Sequence, residues 1–212
     1  MTIRKSYVYS GFERFCHWTQ ASLILLLALT GFEIHGSFQW VGYSQAVALH
    51  NSAAAGLVVL IAFGFFWRLT TGEWRQYKPT RRFLRAQIEY YLHGIFHGAP
   101  HPTKKTVLSK LNPLQRLAYL ALKGLVIPAM VVSGLLYRYP AGLGGTIPGT
   151  GKLGVVALIH TAGAFLLVAF VVGHIYLTTT GRTLTSNLKA MITGYEELEE
   201  PATTSEALRN EA

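Results

Sequence analysis

Residues 153–178 read LGVVALIHTAGAFLLVAFVVGHIYLT. The stretch holds no Asp, Glu, Lys or Arg, and it carries two histidines, His160 and His174. As a helix rising 1.5 Å per residue it extends about 39 Å, enough to cross roughly 30 Å of hydrocarbon. Inside lipid the backbone must satisfy its own hydrogen bonds, so the stretch is predicted to be helical. An ionisable residue at that depth is expensive, which makes function the default reading of each histidine. The two are 14 residues apart. At 100° per residue they differ by only ~40° around the axis, and at 1.5 Å per residue they lie ~21 Å apart along it. They share one face at two depths, which suits two separate sites and excludes one shared site.

Three more apolar segments stand upstream, at residues 12–34, 44–69 and 113–137. Half of the 212 residues are hydrophobic and only 14% are charged, well below the ~25% of an ordinary soluble domain. The expected fold is all-α: an integral membrane four-helix bundle, with residues 1–195 as one membrane domain. The first segment follows Arg4, Lys5 and Arg14 and could pass for a signal peptide. It is of span length and no small-x-small cleavage site follows, so it is read as a retained helix.

Formal net charge is +9, and six of the ten acidic residues fall in the last 17 positions. Residues 196–212 are therefore read as an acidic, disordered tail. Ten Lys and Arg lie between Arg68 and Arg116, whereas residues 35–43 carry none and the third connection offers only Arg138 and Lys152. The positive-inside rule puts both termini and the long middle loop in the cytoplasm. It also explains the basic charge without nucleic acid. Within that loop, residues 81–96 read as an amphipathic helix lying on the membrane surface or docked on a partner.

Orientation orders the histidines by depth. His17 begins the first helix on the inner side, and His50 begins the second on the outer side. In the fourth helix His160 is outer and His174 inner. Each side thus has a pair on different helices: His17 with His174, and His50 with His160. Two imidazoles facing across a bundle can fill both axial positions of an iron porphyrin. Such ligation leaves no open position and favours electron transfer. Gly31, Ala53, Ala54, Gly56, Ala162, Gly163 and Gly173 supply small side chains near the required depths. Arg14, Arg68 and Arg138 lie near span ends, where they can pair propionates or anchor to headgroups. Cys16 precedes His17, but Glu13 stands where covalent haem attachment needs a second Cys, so any haem is held non-covalently. Widely separated histidine pairs make poor closed zinc sites. His93, His97 and His101 are read as solvent-exposed, and His35 is left without a role.

These residues resemble a known family, the di-haem cytochrome b subunits of bacterial formate dehydrogenases, nickel-iron hydrogenases and thiosulfate reductases. The likeness covers roughly residues 5–190. It is carried by Arg14-Phe15-Cys16-His17-Trp18, Thr30-Gly31-Phe32, His50 with Gly56, and His160 with His174. The resemblance implies the same histidine pairing and two non-covalent b haems. It also implies a quinone site at the inner haem, where Asn112 and Gln115 match the family's segment and Leu114 replaces a small residue. Asn112 reads equally well as a helix N-cap before Pro113. Lys123 can serve that site, serve a propionate, or snorkel to the surface.

The function expected is a subunit that passes electrons between a partner and quinone or menaquinone in a bacterial inner membrane. The partner would be an outer-side redox subunit, iron-sulfur or multihaem, with a molybdenum or nickel-iron catalytic subunit behind it. The alternatives are a stand-alone di-haem cytochrome of the superoxide-oxidising kind and a haem-free membrane anchor or transporter.

Overall fold

A computed structural model describes residues 2–103, 105–107, 109–139 and 150–200. Most of the third connection, residues 140–149, and the end of the tail at 201–212 lie outside the described residues. In chain order the elements are β1 (Thr2–Tyr7), α1 (Gly11–Ile34), α2 (Tyr43–Thr71), α3 (Leu84–Leu92), α4 (Pro113–Ala121), α5 (Ile127–Arg138), α6 (Thr150–Thr178), α7 (Ser186–Thr193) and β2 (Tyr195–Glu200). Short 3-10 turns occupy Glu73–Tyr77 and Gly94–His97. The protein is mostly helical, with four helical stretches among the described residues long and apolar enough to cross a membrane: Gly11–Ile34, Tyr43–Thr71, Pro113–Arg138 and Leu153–Thr178.

The chain divides into two compact units. The span unit comprises Phe15–Trp74 and Ala118–Tyr176. Its polarity is inverted relative to a soluble protein. Thr30, Glu33 and Ser133 are buried with Cys16, Ala46 and Ala53, whereas Phe63, Phe66, Leu125, Leu158 and Leu166 are exposed. Lipid is as apolar as these side chains, so nothing drives them inward, and small or hydrogen-bonding residues take the helix contacts instead. Glu33 closes the end of α1. Its Oε1 accepts the backbone N–H groups of Trp40, Val41 and Gly42 at 2.8, 2.9 and 2.7 Å, tying the short connection to the start of α2. The α2 helix stops at Gly72, which takes the left-handed conformation of a C-cap (φ 76°).

The third span is not one regular helix. A π-helical turn, Leu122–Val126, joins α4 to α5. Pro128 follows it. Proline has no N–H for Gly124 and its ring crowds that carbonyl, and a locally wider turn relieves both.

The terminal unit comprises Met1–Arg14, Arg75–Leu117 and Leu177–Ala212. It contains the main departures from expectation. The all-α expectation gains a two-stranded antiparallel ribbon, β1 with β2, in the register Ile3↔Glu199 through Tyr7↔Tyr195. Residues 196–200 therefore correct the disordered-tail reading. Leu198 is buried, Glu197 stands opposite Lys5 and bonds Arg182 at 2.9 Å, and Glu196 bonds Lys105 at 2.6 Å. The acidic run is ordered because basic residues from three other segments neutralise it. Gly194 (φ +87°) makes the turn into β2, and a Cβ there would lie 2.6 Å from the Tyr7 ring and 2.7 Å from the Tyr9 carbonyl.

The middle-loop helix is shorter than the expected 81–96. Phe83 adopts a left-handed conformation (φ 61°), so α3 begins at Leu84. It gives way to the 3-10 turn after Leu92. Gln87 is its buried residue, held by Thr103 Oγ1, which donates to Gln87 Oε1 at 3.0 Å. The apolar residues Phe83, Ile88, Leu92 and Phe96 stay exposed.

Candidate functional site

The span unit brings the four intramembrane histidines together in two pairs. The rings of His17 on α1 and His174 on α6 have centroids 6.0 Å apart. Those of His50 on α2 and His160 on α6 have centroids 6.3 Å apart. An iron between two imidazoles needs about 2.0 Å to each nitrogen and roughly 1.1 Å more to each ring centre, or about 6.2 Å between centroids. Both pairs match that span. Among the described residues no group of three or more His, Cys, Asp or Glu converges as for a bare metal ion. The donor set, two imidazoles and no thiolate or carboxylate, fits a porphyrin iron that brings four nitrogens of its own.

Each pair has orienting partners. Thr30 Oγ1 lies 3.0 Å from His50 Nδ1, and Ser133 Oγ lies 2.9 Å from His160 Nδ1. The residues that follow these hydroxyls are Gly31 and Gly134. A Cβ on Gly31 would come within 3.3 Å of the His50 ring, and one on Gly134 within 3.2 Å of the His160 ring. So α1 and α5 each present a hydroxyl and a bare backbone to one imidazole. At the other pair, Tyr119 Oη lies 3.3 Å from His174 Nδ1. Phe170 stacks on the His174 ring at 6.0 Å and 10°, and Trp18 meets the His17 ring edge-on at 5.2 Å.

Of the small residues singled out in the sequence, Gly31 touches a histidine ring. Gly163 makes room for Met130, and Gly56 faces Leu23. Sequence reading missed Ser133, Gly134 and Tyr119, and it quoted Thr30 only as part of a motif. A signal was present: Thr30-Gly31 and Ser133-Gly134 are the same hydroxyl-glycine pair in two different spans.

Three other candidates lie in the terminal unit. Asn112 and Gln115 form a reciprocal cap at the start of α4. The Gln115 N–H donates to Asn112 Oδ1 at 2.8 Å, and the Asn112 N–H donates to Gln115 Oε1 at 3.0 Å. The capping uses side-chain oxygens and leaves the amide NH2 groups as donors. That of Asn112 donates to Tyr91 Oη at 3.0 Å. Burial pushes the Tyr91 hydroxyl above its ordinary pKa, and the Asn112 contact partly opposes it. Arg14 donates through Nη1 to the Ile192 carbonyl near the end of α7, and its Nε is buried with no hydrogen-bond partner. Of the two other arginines read as propionate partners, Arg68 donates to the Gly64 carbonyl of its own helix at 3.0 Å. Arg138 lies over the Tyr139 ring. His35, His93, His97 and His101 are exposed.

Residues 8–194 match the family model described as "Prokaryotic cytochrome b561". The chain belongs to the prokaryotic cytochrome b561 family. The cytochrome is 36% identical over 200 residues to the Escherichia coli (strain K12) protein named "Putative cytochrome YdhU", covering 90% of this chain and 74% of that one. Membership makes it a bacterial membrane cytochrome that binds haem b, consistent with electron transfer.

Proposed function

We propose that this cytochrome is the membrane electron-transfer subunit of a larger oxidoreductase, carrying two b haems, one between His17 and His174 and one between His50 and His160. The observation that carries the reading is the pair of ring separations, 6.0 and 6.3 Å, each matching bis-imidazole ligation. Haem b would supply one-electron chemistry, and two histidines holding each haem would leave no open position for oxygen. The protein's own part is to fix the ligands. Four histidines on three helices set two centres ~21 Å apart along α6, and buried hydroxyls at Thr30 and Ser133 orient one pair.

The finer role rests on the resemblance to the cytochrome b subunits of formate dehydrogenase, nickel-iron hydrogenase and thiosulfate reductase complexes. By that reading an outer-side redox subunit exchanges electrons with the His50/His160 haem, and quinone reacts on the cytoplasmic side. Asn112 and Gln115 suit a quinone oxygen through their amide NH2 groups, since their side-chain oxygens are committed to the α4 cap.

The test is a reduced-minus-oxidised optical spectrum with pyridine haemochrome quantitation, on wild type and His174→Ala. Two b haems in the wild type and one in the variant are expected. A wild type with no haem, or a variant that keeps both, would sink the assignment.

A further inference from the structure

We infer that Thr30 and Ser133 are positioning residues that lock the tautomer of His50 and His160 and hold down the reduction potential of the haem between them. The inference rests on the reading of those two histidines as haem ligands.

One proton on each hydroxyl decides the direction of these contacts. Thr30 Oγ1 lies 2.7 Å from the Leu26 carbonyl, and Ser133 Oγ lies 2.6 Å from the Ala129 carbonyl. Two oxygens that close repel unless a proton sits between them, and a carbonyl has none to give. Each hydroxyl therefore donates to its own helix and faces the imidazole with a lone pair. The contacts to His50 Nδ1 at 3.0 Å and His160 Nδ1 at 2.9 Å are then hydrogen bonds only if Nδ1 carries the proton. That leaves Nε2 unprotonated on both rings, which is the form a metal binds.

Hydroxyl back-bonding to the preceding turn is common in helices and by itself says nothing of function. Here three features occur together, twice, on different helices. The hydroxyl is buried, with Thr30 0% and Ser133 3% exposed. It reaches a ring nitrogen of a histidine on another helix. The next residue is a glycine against which the same ring packs, at 3.3 and 3.2 Å from the position a Cβ would occupy. The ring is thus held at its Nδ1 edge and along one side. A hydrogen bond from Nδ1–H makes the imidazole a more basic ligand. A more basic ligand favours the ferric over the ferrous state, so the two bonds lower the potential of this centre. His174, by contrast, meets the phenol of Tyr119 at the longer distance of 3.3 Å.

The experiment is an anaerobic potentiometric titration of the haem-loaded cytochrome, with low-spin electron paramagnetic resonance of the oxidised form. It compares wild type, Thr30→Val, Ser133→Ala, the double variant, and the hydroxyl-keeping variants Thr30→Ser and Ser133→Thr. His50→Ala is the control for the ligand reading. Removing one hydroxyl is expected to shift the reduction equilibrium of one haem about tenfold toward ferrous, a rise of about 59 mV for one electron. The other haem stays unmoved. The two single shifts should sum in the double variant, and the g-values of the affected haem should change. The hydroxyl-keeping variants should restore the wild-type values. If Thr30→Val costs the haem outright, retention and normal potential in Thr30→Ser support the inference, and loss in both overturns it in favour of packing. Unchanged potentials in the Val and Ala variants, with one haem lost in His50→Ala, overturn the inference alone. Two haems retained in His50→Ala overturn the ligand reading beneath it.

Discussion

At the scale of single residues, this cytochrome spends its buried positions on groups that would be surface residues elsewhere. Gly134 shows how little room is left. A Cβ there would sit 3.2 Å from His160 Cε1, tighter than ordinary contact but open to adjustment by a few tenths of an ångström. Gly134→Ala is expected to keep the wild-type haem content with a shifted potential. Gly134→Val places two more carbons against the ring and should lower occupancy of one haem at least tenfold, read by haemochrome stoichiometry. Lys105 makes the pH argument. Burial works against its charge, but Tyr9 and Glu196 outweigh burial and raise its pKa above the ordinary 10.5. A raised value means that the charged lysine's contribution is fully present below the unfolded pKa and is lost only as pH rises through the folded one. Lys105→Met should cost about 1 kcal/mol for this partly exposed pair. The gap in thermal midpoint between wild type and variant should hold from pH 7 to 9 and shrink by pH 11. A gap already closing at pH 8 would contradict the assignment.

At the scale of elements, local chemistry explains most boundaries. Ser10 and Glu13 cap α1 reciprocally, with the Ser10 N–H donating to Glu13 Oε2 at 2.8 Å. Asn112 and Gln115 do the same for α4, and both caps are legible as S-x-x-E and N-x-x-Q in the chain. The second cap also separates two roles. Asn112→Ala should destabilise by about 1 kcal/mol because it removes the capping oxygen. Asn112→Ser keeps an oxygen at the cap and removes the amide NH2 that reaches Tyr91. If the amide serves quinone, Asn112→Ser should lose about tenfold in quinol oxidation while its thermal midpoint stays near wild type. Equal losses in stability and activity for both variants would leave only the cap. What could not be read locally was α3. Its periodicity suggested an apolar face for the membrane surface or a partner, and Ile88 and Leu92 are indeed exposed, but nothing local pointed to Gln87 as the residue it buries. Periodicity reports which residues share a face, not which face meets a neighbour.

At the scale of the whole molecule, Thr2–Tyr7 and Tyr195–Glu200 pair in the β1–β2 ribbon, while His17, His50, His160 and His174 belong to the span unit. Deleting residues 195–212 should therefore leave the haem spectrum intact. It should lower the thermal midpoint in detergent, because Leu198 and the Glu196 and Glu197 ion pairs are lost. Loss of haem from the truncated protein would show that the ribbon supports the proposed ligand set. The spans and the pairing of His17 with His174 and of His50 with His160 were legible in the sequence alone. The spans follow from apolar runs set by bilayer thickness; the pairing follows from a 14-residue interval that 3.6 residues per turn maps to one face, taken with the alternating direction that Lys and Arg placement assigns to successive spans. Tertiary structure decided the rest. Only packing could bring Thr30 to His50, Ser133 to His160 and Tyr119 to His174, or pair the acidic C-terminal segment with an N-terminal strand. Those contacts join residues between 20 and nearly 200 positions apart, and no local periodicity encodes which distant partner a side chain will meet.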